Sequence, residues 1–192
     1  MEKRINREIE EKEGLLQDLE SPVDLKLVQL THHKNTLVDV RKYSVQYADA
    51  ENSVFSDLTF TINRGERIAL SGKNGCGKST LLKRILQKNG FIQERFSISE
   101  KGLCEIASGL VISYVGQDAT GLKGDITTFC REHDLDLSLF CTILRQLDFE
   151  RVQFSKNMEE YSEGQKKKVL LAASLLTPAH LYVWVTGKCS GV

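Results

Sequence analysis

The chain has 192 residues, with 26 basic side chains matched by 26 acidic ones, 41% hydrophobic content and a pI near 6.9. That length suits one globular domain with an appendage, and zero formal net charge argues against a strongly basic nucleic-acid coat protein while leaving a local basic face open. The longest strongly apolar stretch, Val169 to Leu176, is far shorter than the roughly 20 residues of a bilayer crossing, and the charged opening MEKRINREIEEKEG lacks the apolar region of a signal peptide, so a cytoplasmic chain is expected.

Residues 1 to about 20 alternate acids and bases around Ile5, Ile9, Leu15, Leu16 and Leu19, which predicts a charged, weakly amphipathic helix ended by Ser21-Pro22. From Leu25 to Ile62 short alternating runs (Leu37 to Val40, Tyr43 to Tyr47, Val54 to Ile62) predict an antiparallel β-sheet. Asn63-Arg-Gly65 turns into Arg67-Ile-Ala-Leu70, a compact strand, followed by a glycine-rich loop and a helix beginning near Ser79. Asn89-Gly90 ends that helix, and Cys104 to Ile106 with Leu110 to Val115 suggests a hairpin around Ser108-Gly109. Residues 118 to about 162 carry helix formers with apolar positions at Leu137, Leu139, Phe140, Ile143, Leu144 and Leu147, which predicts a helical subdomain. Glu163 to Leu176 reads as a further helix stopped by Thr177-Pro178, and His180 to Val185 as a buried strand. The five cysteines (Cys76, Cys104, Cys130, Cys141, Cys189) are widely spaced, without a C-x-x-C pair or a histidine at ligand spacing, so reduced thiols are expected rather than disulfides or a zinc site.

Gly72-Lys-Asn-Gly75-Cys-Gly77-Lys78-Ser79 fits G-x-x-x-x-G-K-[ST] between a predicted strand and a predicted helix. The nucleotide-binding set is then Gly72, Lys73, Asn74, Gly75, Cys76, Gly77, Lys78, Ser79 and Thr80. Its glycines let successive N–H groups and the helix N-terminus face phosphate oxygens. Lys78 would meet the β- and γ-phosphates, Ser79 would offer its hydroxyl to Mg²⁺, and Thr80 would support the helix start or a phosphate oxygen. A glycine turn that only caps a helix is the plainer alternative, and it needs neither the lysine nor the hydroxyl.

Downstream, Tyr161-Ser162-Glu163-Gly164-Gln165-Lys166-Lys167-Lys168 resembles the signature motif of ATP-binding-cassette (ABC) ATPases, and Tyr114-Val-Gly-Gln117-Asp118 resembles their glutamine loop. The signature in this form, with Thr177 to Trp184 and the charged N-terminal helix, is similar to the second nucleotide-binding domain of ABC-F proteins of the Lsa-like, ribosome-protecting antibiotic-resistance subgroup. The resemblance implies an α/β P-loop NTPase fold of the ABC type: an antiparallel β-sheet, a helical signature subdomain and an N-terminal linker helix. It implies a linker remnant over 1–24, an ATP-binding domain over 25–185 with its helical subdomain at about 118–162, and an unrelated tail over 186–192. It further implies ATP and Mg²⁺ as cofactors, Tyr47 stacking on adenine with Tyr43 as a competitor, and Gln117 near Mg²⁺ and the attacking water. Ser162, Gly164 and Gln165 would contact the γ-phosphate held by an opposing domain, so a second cassette is needed to complete a site. A serine N-cap with glycine in the first turn is compatible with that role, while Lys166 to Lys168 reads as a solvated helix face, with no direct DNA binding expected.

The family's strand after the signature helix ends in an aspartate for the Mg²⁺ shell, then a glutamate that polarises water, then usually proline; here these positions read Val185, Thr186 and Gly187. Val185 has no oxygen for a hard cation, and Thr186 is no general base at pH 7. The D-loop and switch histidine are not found, and His180 precedes the strand. The resemblance thus describes an incomplete cassette, a fragment of a two-cassette protein interrupted by a frameshift or truncation, whose central sheet would lack a strand beside Arg67 to Leu70. Three functions follow as expectations: an ATP-binding ABC-F cassette whose parent engages the ribosome, the nucleotide-binding subunit of a membrane transporter, and a nonproductive fragment.

Overall fold

In the computed structural model, residues 29–93 and 97–185 are described. They divide into two compact units, one holding 29–117 and 177–185, the other Asp118–Leu176. The expected N-terminal helix and the tail after Val185 lie outside the described residues.

The first unit is built on a three-stranded antiparallel sheet in the order β2-β1-β3, with β1 at Thr36–Tyr47, β2 at Phe55–Asn63 and β3 at Ile98–Ile106. The two short runs read at Leu37 to Val40 and Tyr43 to Tyr47 form one strand, joined by a bulge. Val38 and Val40 point inward, whereas Tyr43 and Val45, of opposite parity, are buried beyond it. One inserted residue makes that possible: Lys42 has φ of 44°, and both ladders shift register there. Opposite it, Gly102 is obligatory, because a Cβ would lie 2.1 Å from the Lys42 carbonyl oxygen.

Helix α1, Lys78–Asn89, lays Leu81, Ile85 and Leu86 on the apolar cluster of β1, and Gly90 in the left-handed conformation ends it. Arg84 on α1 bonds Glu100 of β3, which also accepts from the Tyr43 hydroxyl at 2.9 Å and lies 3.1 Å from the Lys88 ammonium. Burial raises the Tyr43 phenol above its ordinary range, opposed by Arg84.

Three expectations are corrected. Residues 104–115 do not form a hairpin: Cys104 to Ile106 belong to β3 beside β1, whereas β4, Ile112–Val115, pairs in parallel with β5, Leu181–Trp184. Ser108-Gly109 does make a turn, with Gly109 at φ of 74°, but it sends the chain into a different sheet. Nor is Arg67 to Leu70 a strand: residues 64–76 are all exposed, with Ile68 at 55% and Leu70 at 46%, because among the described residues no strand pairs with them. Strand β5 is half-buried rather than buried, and Trp184 is 41% exposed.

Histidines hold the β4–β5 pair to the segment before β1. Leu30 N donates to Ala179 O, and buried His32 accepts from Lys34 N at Nδ1, so its Nε2–H donates to Ser108 O at 3.0 Å. His180 lies edge-on to His32, with centroids 5.0 Å apart. Its Nδ1 accepts from Val111 N at 2.9 Å while its own N–H donates to Val111 O.

The second unit packs α2 (Ile126–Glu132), α3 (Leu137–Gln146) and α4 (Glu163–Leu176) around Phe129, Phe140, Leu144, Met158 and Val169. Asp125 and Asp136 cap the first two helices by accepting from Thr128 N and Leu139 N. Two 3₁₀ turns, Arg151–Ser155 and Met158–Glu160, lead into α4; Tyr161 stops the first by donating to Gln153 O, and burial pushes its phenol up to about 12. No helix among the described residues is long and apolar enough to cross a membrane.

Burial and the nearby His32 and His33 lower the His180 pKa from 6.5, and a protonated ring has no Nδ1 lone pair for Val111 N. A lowered folded value means that this contribution to stability is complete above pH 6.5 and is lost as pH falls through the folded pKa. The thermal midpoint is therefore expected to fall between pH 7.5 and 5.5, and His180→Asn, which keeps an acceptor without a titrating ring, to flatten that slope in a calorimetric pH series.

Candidate functional site

The phosphate-loop sequence spans the exposed turn between residue 71 and α1, all in the first unit. Gly77 is its pivot. It has φ of 91°, and a Cβ there would lie 2.7 Å from Val54 Cγ1 and 2.8 Å from Phe55 Cδ1. Its carbonyl accepts from Leu81 N at 2.9 Å, the first bond of α1. Within the loop, Cys76 N donates to Lys73 O, and Gly72 has φ of 153°, so a side chain at 72 would be strained and would also displace the Cys76 thiol, 2.8 Å from its Cβ.

Lys78 curls back over this turn. Its ammonium donates to Gly72 O at 2.7 Å and Lys73 O at 2.8 Å, and lies 3.7 Å from Cys76 Sγ. The charge is thus held against the carbonyl groups of the loop itself. Ser79 is exposed in the first turn of α1, where its hydroxyl can meet a cation or a phosphate oxygen. Asn74 and Gly75 form the tip, open to solvent.

The two tyrosines part company. Tyr43 is 1% exposed and bonded to Glu100, with no face for a ligand, whereas Tyr47 is 37% exposed and its hydroxyl lies 3.1 Å from Thr80 Oγ1. Tyr47, Thr80, Lys83, Arg84 and Ile98 line a shallow recess there. Tyr47 and Thr80 are thus brought together, a contact between residues distant in sequence.

Gln117 is exposed just beyond β4. Val115 O accepts from Val185 N at 2.8 Å, so the parallel pair puts Val185 at the same end of the sheet. Val185 contributes only methyl groups to that end.

In the second unit, Ser162 and Gln165 form a reciprocal capping box: Gln165 Oε1 accepts from Ser162 N at 2.9 Å, and Ser162 Oγ accepts from Gln165 N at 3.3 Å. A Cβ at Gly164 would lie 3.9 Å from Ser162 Oγ, an ordinary contact, so the turn has room there. The lysines that follow differ from the solvated face read in the sequence. Lys166 is 14% exposed at the side chain and pairs with Glu163 at 3.4 Å, and Lys168 donates to Asp148 O at 3.0 Å. Their stems cover the helical core, while the Lys166 ammonium pairs with a carboxylate and that of Lys168 donates to a neutral backbone carbonyl. Asp118 is held below the usual carboxylate range by N–H and hydroxyl bonds from Thr120, with Lys166 a lesser influence.

A P-loop on a mixed α/β unit, joined to a helical unit opened by a capped Ser-Glu-Gly-Gln turn, defines a nucleotide-binding cassette. The ABC transporter family model matches residues 55–184, and the chain belongs to that family. The molybdate import ATP-binding protein MolC of Haemophilus influenzae is 28% identical over 138 residues, 70% of this chain and 54% of its own length. The ribosome protection protein VmlR of Bacillus subtilis is 28% identical over 149 residues, 76% of this chain and 26% of its own. A solved metal-chelate type ABC transporter in an inward-facing conformation aligns with 74% of this chain and 56% of its own at 24% identity, with a TM-score of 0.48. The chain therefore spans about half of the first of these relatives and about a quarter of the second.

The sequence carried no sign of the Val54 and Phe55 contact on Gly77, since neither residue belongs to a motif. The capping box gives a direct test of the signature turn. Ser162→Ala is expected to lower stability by about 1 kcal/mol in urea titrations, and Ser162→Thr to restore most of it.

Proposed function

We propose that the chain is an ATP-binding cassette of the ABC-F type, with 25–185 as the cassette, 1–24 as part of a helical linker and 186–192 outside the domain. The observation that carries nucleotide binding is the loop at Gly72 to Thr80, which leads into α1 with the Lys78 ammonium folded back on the Gly72 and Lys73 carbonyl groups. ATP phosphates suit this loop: Lys78 supplies a cation held on carbonyl oxygens, and among the described residues no carboxylate bonds to it. Mg²⁺ has the Ser79 hydroxyl and the Gln117 side-chain oxygen as protein donors and would draw the rest of its shell from phosphate and water. Tyr47 serves as the adenine platform, supported by its exposed ring beside Thr80.

Turnover is a different matter. General-base catalysis contributes about 10² to 10⁴ in rate, and neither Val185 nor Thr186 can supply it, so this chain holds ATP with hydrolysis impaired or absent. A complete site needs a second cassette, whose signature turn would face this loop while Ser162, Gly164 and Gln165 face the partner's ATP. The Ser-Glu-Gly-Gln-Lys-Lys-Lys form of the signature and the likeness to VmlR support a parent that acts on the ribosome in antibiotic resistance. The likeness to MolC favours a second reading, a transporter's ATP-binding subunit.

Lys78→Ala is expected to weaken ATP binding at least about tenfold by equilibrium dialysis; an unchanged affinity would leave the loop without a ligand and favour the nonproductive fragment. Phosphate release by the wild-type chain is expected to stay at background. Sedimentation with ribosomes in the presence of ATP supports the ABC-F reading, and recovery with membranes instead supports the transporter.

A further inference from the structure

Residues 64–76 are exposed throughout, and from Arg67 to Ser71 no hydrogen bond anchors the chain among the described residues. The loop's N-terminal leg is thus not fixed by a sheet. What fixes its other leg is side-chain contact: Val54 and Phe55 occupy the space a Cβ at Gly77 would need, at 2.7 and 2.8 Å from that point. Both are themselves held. Val54 N donates to Val45 O at 2.7 Å, Phe55 stands opposite Val45 in the β1–β2 ladder, and the Phe55 ring lies 5.9 Å from that of buried Tyr43.

We propose that Val54 and Phe55 are positioning residues for the phosphate loop, a wedge that sets where Gly77 and hence the Lys78 and Ser79 amides stand, and so determines affinity for the phosphates of a nucleotide without touching it. The inference rests on the nucleotide-binding reading above. It follows from packing. Gly77 has no side chain of its own, so its Cα is located by what it leans on, and its carbonyl then starts α1 at Leu81. The Tyr47 hydroxyl against Thr80 Oγ1 steadies the next turn from the same hairpin, but it is a single bond between exposed groups. Shortening Val54 or reshaping Phe55 leaves the β1–β2 ladder its backbone bonds and removes the stop against which Gly77 rests.

The test compares ATP affinity, thermal midpoint and the ¹⁵N–¹H resonances of Gly77 and Lys78 in the 192-residue chain. Val54→Ala and, independently, Phe55→Leu are expected to weaken ATP binding about tenfold and to shift both amide resonances in the absence of nucleotide, while Val54→Ile restores affinity. Phe60→Leu supplies the control. It is also half-buried on β2 but stands opposite Val40, so it should lower the midpoint comparably and leave ATP affinity and both amides in place. Affinity within twofold of wild type for Val54→Ala and Phe55→Leu, or an equal loss in Phe60→Leu, overturns the wedge. Lys78→Ala in the same series separates the two ideas: if it fails to weaken ATP binding, the nucleotide reading falls, and the wedge is then decided by the two amide resonances alone.

Discussion

The bulge at Lys42 is the constraint on which the phosphate-loop unit depends. Strand β1 is the middle strand, so its phase governs both neighbours, and its inward residues change parity in mid-strand. Without the inserted residue, Lys42, Ser44 and Gln46 would follow Val38 and Val40 inward, and a lysine would enter the apolar cluster beneath α1. With it, Tyr43 and Val45 turn inward and Tyr47 falls on the same side. The dependence runs on from there: Val45 stands opposite Phe55, Phe55 bears on Gly77, and Tyr47 reaches Thr80. The geometry of the loop is thus set by a backbone irregularity outside it, maintained by a left-handed lysine facing a left-handed glycine.

Local features were more legible in the sequence than the pairing of distant segments. The motif at Gly72 to Ser79 stands out because a phosphate-binding loop takes glycines, a lysine and a hydroxyl at fixed spacing, and the signature turn because a capping box is local. The α1 stop at Gly90 and the helix from Glu163 were legible for the same reason, each being decided by near neighbours. Partners in sheets are not. A polar Arg41-Lys42 pair reads as a break between two strands, although it is a bulge within one. The run from Arg67 to Leu70 has the composition of an inner strand, yet composition cannot supply the neighbour that would make it one. The chain turns at Ser108-Gly109 as expected, but His32 and His180, far off in sequence, bond Ser108 and Val111 there.

Some of the charge in this molecule is spent locally. A chain with equal numbers of acids and bases can still present strong fields, but Arg84, Lys88 and Glu100 neutralise one another beside Tyr43, and Lys166 does so with Glu163. The Lys78 ammonium, like that of Lys168, rests instead on neutral carbonyl dipoles. That leaves a net positive charge at the loop, which distinguishes it from Lys88 and Lys166 and suits it to an anion.

The back-folded lysine also alters the thermodynamics of filling the loop. A free lysine side chain loses about 2 kcal/mol of rotamer entropy on being ordered, yet Lys78 is already confined by the carbonyls of Gly72 and Lys73. An arriving phosphate therefore replaces one set of oxygens with another around a cation whose freedom has gone, and the ordering cost falls on the folding of the loop rather than on the encounter with its ligand.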